Sequence, residues 1–488
     1  MKKKIVNAAG EYRKAPADLD REFPEGFRIL SPTAILGYGF PPESFLRGMK
    51  RKPHLIAVDG GSTDPGPYYL GKGKSFTNRA FVKRDLRYML TAGRALRIPV
   101  IVGSAGGSGA APHLAWCQEI IEEIAREEGL SFRMAVIPSD VPKELVRAAL
   151  RAGGIEALSF VPPLSEEAID ATTHLVAQIG HEPIVEALRD GADVVLVGRC
   201  YDPANFAAFP ILHGHDEALA THMGKILECG AIASTPGSGA DCAFATLSGD
   251  AFRLEALNPA RRFTKESAAA HTLYEKSDPY HLPGPGGALD LTHCSFTECP
   301  GGAVEVRGSR HVPTIPYKVK LEGARPVGFR TISVAGTRDP IMIASIGEIL
   351  EAVRNQVSSM GGGATRGAIH FHVYGKDGVM GGIEPKAPGK PGAAELSYEL
   401  GIVMEAVAPT KEEADTLVGV TRSTLLHYGY PGRVSTAGNL AFPFSPSDAS
   451  MGEVYEFSLY HLMAIDDPRL FPGPEGRRTV RFSKGIKE

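Results

Sequence analysis

Short apolar runs alternate with longer amphipathic stretches along the first half of the chain. Residues 55–58, 98–102 and 132–137 are apolar runs of strand length, and polar, glycine-containing loops follow them. Between them, residues 80–97 and 112–129 carry apolar side chains at helical spacing. Strands that alternate with helices are typical of a parallel sheet. The pattern predicts an α/β fold with a mostly parallel N-terminal sheet flanked by helices.

The same alternation continues to about residue 233. Residues 142–152 and 215–233 have helical patterns. Residues 174–179, 184–189 and 193–198 predict a strand, a helix and a strand in close succession. Such a βαβ unit normally places its two strands parallel in one sheet.

Strands follow one another before a helix in the last third of the chain. Residues 368–374 and 398–407 predict strands, and Thr410 with Glu413 forms a capping box that opens a helix to about His427. This order predicts a smaller α+β C-terminal domain.

The length supports a division into domains, since 488 residues are too many for one ordinary core. The stretch around 275–315 is rich in proline and glycine. We therefore expect an α/β ligand-binding and catalytic domain over residues 1–290 and the α+β domain over residues 291–488.

Composition excludes several classes of function. Lys and Arg number 53 against 56 Asp and Glu, a net charge of −3, so no basic field is available to bind nucleic acid. No signal-peptide pattern and no run of about 18 apolar residues is present, so no membrane partner is expected. The six cysteines form no C-x-x-C pair, which favours reduced thiols in a cytoplasmic protein. A homo-oligomer is expected for a cytoplasmic enzyme of this size.

Polar residues concentrate where the predicted strands end. In a parallel sheet, ligands bind at the carboxyl ends of the strands, where loops converge and helix N-termini offer backbone N–H groups. We predict one common site at these ends, with acid/base roles for Asp59, Asp64, His181 and Glu182. The predicted substrate-binding residues are Gly60, Gly61, Ser62, Thr63, Ser104, Gly106, Gly107, Ser108, Gly109, Ser139, Arg199 and Tyr201.

A divalent cation such as Mg²⁺ is a further expectation, although no motif demands it. Hard cations prefer carboxylate oxygens. The predicted metal ligands are Asp59, Asp64 and Asp202.

One of these loops has a structural alternative, and another lacks two known phosphate-binding patterns. Residues 59–64 cradle an anion in one interpretation, and in the other they form a turn in which Asp64 bonds its own backbone. Residues 103–109 lie between a strand and a helix, as an anion-binding loop does, but they lack the P-loop lysine and the dinucleotide-binding pattern.

Each of the remaining strand ends also allows two interpretations. Ser139 and Asp140 fit a helix N-cap better than a catalytic pair. Glu182 is either an acid/base partner of His181 or a favourable charge at a helix N-terminus. Arg199 either clamps a substrate carboxylate through its planar guanidinium or pairs with Asp202.

Four motifs together resemble the acyclic terpene utilisation AtuA family. They are DGGSTDPGPYYL at residues 59–70, EPIV at 182–185, DVVLVGRCYDPA at 193–204 and ECGA at 228–231. The resemblance runs over about residues 50–465. It implies a role in bacterial breakdown of branched acids and their CoA thioesters, and a small separate partner subunit. It supplies no catalytic residue, so the site prediction depends on the strand ends alone.

We therefore expect an enzyme that acts on a small branched carboxylate or its CoA thioester by acid/base chemistry. A hydratase or dehydratase, or a double-bond isomerase, fits best. One alternative assigns the same loops to the phosphates of a nucleotide or CoA, which would make a ligase or transferase. Another is a non-catalytic subunit of a catabolic complex.

Overall fold

The computed structural model describes the chain in several segments. Backbone alone is described at residues 5–6 and 12–13, and backbone with side chains at 22–158, 160–360, 366–384, 397–472 and 476–487. The chain divides into two compact units, of which the first combines Met1–Arg325 with Phe457–Glu488 and the second is Pro326–Glu456. The predicted boundary at residue 290 lies inside the first unit, because strands on both sides of that residue join the same sheet.

The strands are short, except for two that pass from one unit to the other. In chain order they are β1 (Ile5–Val6), β2 (Tyr12–Arg13), β3 (Phe27–Ser31), β4 (Leu55–Asp59), β5 (Val100–Gly103), β6 (Phe132–Ile137), β7 (Ile155–Ala157), β8 (His174–Gln178), β9 (Val194–Val197), β10 (Ala243–Ser248), β11 (Ala251–Ala256), β12 (His281–Gly284), β13 (Gly287–Asp290), β14 (Ser295–Cys299), β15 (Ala303–Arg307), β16 (Arg310–Pro313), β17 (Tyr317–Thr337), β18 (Ala368–Tyr374), β19 (Leu400–Ala408), β20 (Asp448–Ile465), β21 (Arg478–Ser483) and β22 (Ile486–Lys487).

Among the described helices, none is long and apolar enough to cross a membrane. The α-helices are α1 (Pro42–Lys50), α2 (Pro67–Lys72), α3 (Arg79–Leu96), α4 (Ala111–Glu128), α5 (Lys143–Arg151), α6 (Glu166–Ala171), α7 (Glu182–Arg189), α8 (Ala204–Leu212), α9 (Glu217–Leu227), α10 (Lys265–Thr272), α11 (Pro340–Ala344), α12 (Ile346–Met360) and α13 (Lys411–His427). Two 3₁₀ turns lie at Gly230–Ala233 and Gly381–Ile383.

An eleven-stranded sheet forms the centre of the first unit, in the order β14-β15-β11-β10-β3-β4-β5-β9-β6-β21-β22. Strands β3, β4, β5, β9 and β6 pair in parallel. Antiparallel strands extend this parallel centre on both sides, with β10 beside β3 and β21 beside β6. The predicted α/β class is confirmed.

Both faces of the parallel centre are buried, which explains its continuous apolar runs. Successive side chains of a strand point to opposite faces. Leu55 and Ala57 accordingly belong to one apolar cluster, with residues of α7, α8 and α9, while Ile56 and Val58 belong to another, with residues of α1, α3 and α4. The result is a sheet between two layers of helices.

The predicted parallel pairing of the βαβ unit is wrong. The predicted βαβ unit corresponds to β8, α7 and β9, but β8 pairs antiparallel with β17, where Gln178 lies opposite Lys320. Strand β9 has no free edge for β8, because β5 and β6 occupy both of its sides. A single parallel bridge between Ile179 and Cys200 keeps the end of β8 beside the end of β9.

The second unit is an antiparallel sheet with helices, and it confirms the predicted α+β class. The second half of β17 pairs with β19, which also pairs with β18. Helices α12 and α13 contribute to one apolar cluster with β18 and β19. Thr410 caps α13 through the predicted capping box with Glu413.

Glycines allow the loops at the strand ends to pack closely. Gly109, with φ of +69°, lies so near the next strand that an added Cβ would sit 2.0 Å from the backbone nitrogen of Arg199. A Cβ on Gly103 would lie 1.8 Å from the Asn205 side chain. A larger residue at Gly109 would therefore require a backbone shift, and one at Gly103 would displace the Asn205 side chain.

We predict that Gly109→Ala lowers the free energy of unfolding by about 3 kcal/mol, since it combines left-handed backbone strain with overpacking. Gly129→Ala is the matched control, because Gly129 has φ of +60° and no atom within 4 Å of an added Cβ. The control should lose only about 1–2 kcal/mol from backbone strain. Urea unfolding measures both, and equal losses would contradict the packing argument.

Candidate active site

A cavity of about 630 Å³ lies in the first unit where β8 and β9 end. Its walls carry a balanced set of charges, with basic residues Arg199, Lys225, Lys276, Lys318 and Lys320, and acidic residues Asp64, Glu156, Asp202, Glu228 and Glu275. Its other walls include Leu158, Tyr201, Pro203, Tyr460, Leu462 and residues 283–288. The cavity volume lies in the range of small-molecule sites, and its walls combine many charged groups with some apolar ones.

Arg199 is the buried charge at the end of β9. Its Nε donates to Glu322 at 2.9 Å, and its Nη1 donates to Asp202 at 2.7 Å and to Ser104 Oγ at 3.1 Å. The pairing with Asp202 is the structural alternative to the predicted carboxylate clamp. These protein partners bind Nε and Nη1, so any substrate contact would add to an arginine that is already paired.

Glu322, on β17, joins two cations and is fully buried. Besides Arg199, it pairs with Lys320 at 2.7 Å. Burial raises its pKa, but the Arg199 and Lys320 charges prevail and lower the pKa of Glu322 to about 2. This carboxylate is therefore ionised throughout the neutral range.

Ser139 connects three of the strand-end loops through its hydroxyl. Ser139 Oγ accepts from the backbone N–H of Arg199 at 2.6 Å and donates to the Gly109 carbonyl at 3.1 Å. Asp140 accepts from the N–H of Ala111, so it caps the start of α4 rather than the helix that follows it in the chain. Asp140 thus has the predicted capping role, but it caps α4 instead of the expected helix α5.

The two glycine loops pack against each other. Gly60 N–H donates to the Gly103 carbonyl at 2.8 Å, and an added Cβ on Gly61 would lie 3.2 Å from the Cα of Gly107. Ser104, Ser108 and Thr63 are buried between these loops and their surroundings, and an added Cβ on Gly106 would meet His113 at 2.8 Å. Each of these glycines has a packing role, and anion binding by the loops stays a prediction.

Asp59 is buried at the end of β4 and lies outside the cavity lining. Its Oδ2 accepts from Gly61 N–H at 3.0 Å, while no described residue forms a hydrogen bond with its Oδ1. Burial and the Asp202 charge raise the pKa of Asp59 well above its usual range, although Arg199 opposes them. Its surroundings therefore favour the protonated form of Asp59 more than water does.

Glu228 and Tyr201 place two buried oxygen atoms in the cavity wall. Glu228 Oε1 accepts from Lys225, and neither Glu228 Oε2 nor the Tyr201 hydroxyl has a hydrogen-bond partner among the described residues. Burial raises the pKa of Glu228 to about 7, against the opposing Lys225 charge. Burial and the Glu228 charge also raise the pKa of Tyr201. A carboxyl group with this pKa exchanges protons near neutral pH.

The other predicted acid/base residues have different surroundings from Glu228 and Tyr201. Asp64 is exposed, lines the cavity and accepts from Ser62 Oγ at 2.7 Å. Glu182 begins α7, as its structural alternative required, and its Oε2 accepts from the Tyr317 hydroxyl at 3.0 Å. His181 lines a separate narrow cleft that it shares with Tyr201. The roles predicted for these residues stay predictions.

Among the residues that the structure describes, no group of three or more His, Cys, Asp or Glu side chains is arranged to hold a metal. Of the three predicted metal ligands, Asp202 is paired with Arg199, Asp59 is buried with a raised pKa and Asp64 is exposed. The Mg²⁺ expectation gains no support from this arrangement.

A second cavity, of about 700 Å³, lies in the second unit, and its polar groups named below already have hydrogen-bond partners. Its Asp339 accepts from the Tyr430 hydroxyl at 2.7 Å, and Arg433 donates to Asn439 at 2.5 Å. These polar groups already bind within the protein. The cavity at the ends of β8 and β9 is therefore the better candidate active site.

The strand-end argument missed seven of the ten charged residues that line the cavity, and it also missed Glu322. Lys225 and Glu228 lie at the end of a helix and just beyond it, Lys276 follows another helix, and Glu322 lies within a strand. The i, i+3 spacing of Lys225 and Glu228 was a readable signal for an ion pair. For Glu322, the available signal was a glutamate between apolar residues on a strand, which needs a buried partner.

Comparison with known proteins gives a family match for part of the chain. Residues 73–246 match the model described as acyclic terpene utilisation family protein AtuA. The predicted resemblance is confirmed for this segment, which contains the motifs at 182–185, 193–204 and 228–231. The motif at 59–70 lies outside it, and the match is narrower than the predicted extent. No curated protein and no solved structure matches the chain.

We predict that Glu322→Ala lowers the free energy of unfolding by about 3–5 kcal/mol, because it leaves the buried Arg199 and the partly buried Lys320 without their shared partner. Glu156→Ala is the control, since Glu156 pairs with Lys318 at the surface and should lose less than about 1 kcal/mol. The contribution of Glu322 is present above its unfolded pKa and is lost as pH falls toward about 2. Urea unfolding at pH 7 and pH 3 measures this, and similar losses in both variants would refute it.

We expect Asp59→Asn to maintain or raise the melting temperature at pH 8. The raised pKa means that the folded state holds a proton that the unfolded state releases, so wild-type stability falls as pH rises above the unfolded pKa. Any advantage of the variant should close below about pH 4, where both states are protonated. Exposed Asp64→Asn is the control. A large loss of stability at pH 8 would show that Asp59 is ionised and paired.

Proposed function

From the AtuA match of residues 73–246, we propose that the chain is an enzyme of branched-acid catabolism in acyclic terpene utilisation. We further propose that it adds or removes water, or moves a double bond, on a small branched carboxylic acid or its CoA thioester. One observation carries the chemistry: Glu228 and Tyr201 both line the same cavity, and each has a buried oxygen without a hydrogen-bond partner among the described residues.

Glu228 is the proposed proton acceptor and donor. With a pKa of about 7, it is divided between its ionised and protonated forms at neutral pH, as a group that both takes and returns a proton must be. In its ionised form, Oε2 accepts a proton from water or from a carbon atom activated by the substrate carbonyl. Lys225, bound to Oε1, holds the carboxyl group in place.

Tyr201 is the proposed partner for the oxygen on which negative charge develops. Its raised pKa keeps the hydroxyl protonated, so it donates a hydrogen bond. Removal of a proton beside a carbonyl produces an enolate, and a buried donor stabilises it more strongly than water does. The pair thus supplies the two functions that hydration and double-bond migration share.

The ligase or transferase alternative has less support. It requires the glycine loops to bind phosphate through open backbone N–H groups. The space beside Gly103, Gly106 and Gly109 is filled by Asn205, His113 and the Arg199 backbone. The cavity with Glu228 and Tyr201 offers acid/base groups instead.

We predict that Glu228→Gln lowers turnover by about 10²- to 10⁴-fold with little change in substrate binding. Glu275→Gln is the matched control, because Glu275 is an exposed acid of the same cavity and should retain activity. Wild-type turnover should rise with pH through about 7 as Glu228 ionises. NMR in D₂O measures water addition and deuterium incorporation into unsaturated branched acids and their CoA thioesters.

Two results would contradict the proposal. One is the absence of conversion and of deuterium exchange over the whole substrate panel, with and without Mg²⁺. The other is full activity of Glu228→Gln, which would show that the proton is moved elsewhere.

A further inference from the structure

Lys276 is the cavity cation whose charge the protein leaves unmatched. It lines the cavity and is partly buried, with Nζ 5.6 Å from the centre of the Tyr201 ring. Among the described residues, no side chain forms an ion pair with it. Burial and the nearby Lys225 charge lower the pKa of Lys276, and the Glu228 and Asp202 charges oppose them without forming an ion pair. The site is therefore costly for an ammonium group that has no ion pair.

The deepest cations of the same cavity already have partners. Arg199 pairs with Asp202 at 2.7 Å and with Glu322 at 2.9 Å. Lys320 pairs with Glu322 at 2.7 Å and lies over the Tyr460 ring. Since these charges are matched within the protein, neither cation is available at full strength for a ligand.

The other two lysines of the cavity are also paired. Lys225 donates to Glu228, and Lys318 donates to Glu156. Asp64 and Glu275 add two exposed carboxylates to the same walls. An anionic ligand therefore meets one cation without an ion pair, Lys276, and two exposed carboxylates.

This arrangement selects the charge of the ligand. A carboxylate beside Lys276 forms a charge-assisted hydrogen bond and offsets the cost of the buried ammonium group. A second carboxylate, or the phosphates of CoA, would find no further unmatched cation and would be repelled by the acidic walls. Leu158, Pro203 and Leu462 add apolar contacts, which suit a short branched chain.

We infer that Lys276 binds the carboxylate of a small free monocarboxylic acid, which makes that acid, rather than a dicarboxylate or a CoA thioester, the ligand class of the cavity. The inference rests on the proposed function for the choice of cavity. It goes further by deciding between the ligand classes that the acid/base chemistry leaves open.

The test is a thermodynamic cycle between the ligand carboxylate and the lysine. Calorimetry compares a branched five-carbon unsaturated acid with its primary amide, on wild type and on Lys276→Gln. Wild type should bind the acid roughly 10- to 100-fold more tightly than the amide, as expected for a hydrogen bond between charged groups. The preference should fall to within about threefold in Lys276→Gln and should be partly retained in Lys276→Arg.

Lys318→Gln is the matched control, because Lys318 is a lysine of the same cavity whose charge is already paired. It should keep the full preference for the acid. The acid affinity of wild type should decline as pH rises through the lowered pKa of Lys276, whereas amide binding should not. Thermal unfolding of each variant verifies that the fold is retained.

The outcomes separate this inference from the proposed chemistry. Lysine-dependent binding of the acid without any conversion would support the inference and refute the hydratase or isomerase activity. An unchanged preference in Lys276→Gln, tighter binding of the dicarboxylate or CoA thioester, or no binding of any acid at millimolar concentration would overturn the inference. Conversion of the acid with an unchanged preference would overturn the inference alone.

Discussion

The buried contact between Arg199 and Glu322 is the interaction on which the rest of the site depends. Both side chains are removed from water, so each needs the other to remain charged inside the protein. The contact joins the end of a central parallel strand to a strand outside that sheet. It thereby brings Lys320 and Asp202 to the same place and sets the charge of the cavity walls.

This constraint also explains why the polar residues of the site fall into two groups. Arg199, Ser139 and the glycine loops form hydrogen bonds and close contacts with one another, and they hold the strand ends together. Glu228, Tyr201 and Lys276 lie around them, with atoms or charges that the described protein groups leave unmatched. The two groups are therefore neighbours in space. The packing residues have their hydrogen-bond partners within the protein, whereas the candidate reactive residues keep atoms or charges that a ligand could pair with.

The sequence predicted most of the local structure and part of the site. Hydrophobic periodicity located β6 at its observed bounds and α4 to within about a residue, because these elements are determined by their own burial patterns. It misassigned the partner of β8, since pairing depends on which sheet edges are already occupied. It placed Arg199 and Asp202 at the site, but Glu322 is 123 residues away from Arg199 in the chain. A contact of this separation leaves no periodic signal.

The chain returns to the first unit after it has formed the second, and this order affects how the first unit folds during synthesis. Strand β21 pairs with β6, although the intervening chain includes the whole second unit. During synthesis on the ribosome, one side of β6 therefore stays unpaired until residues 478–483 have emerged. An exposed strand edge can recruit other chains in that interval. The sheet of the first unit is thus completed only after the second unit has been synthesised, and a chain that stops before β21 would keep an edge prone to aggregation.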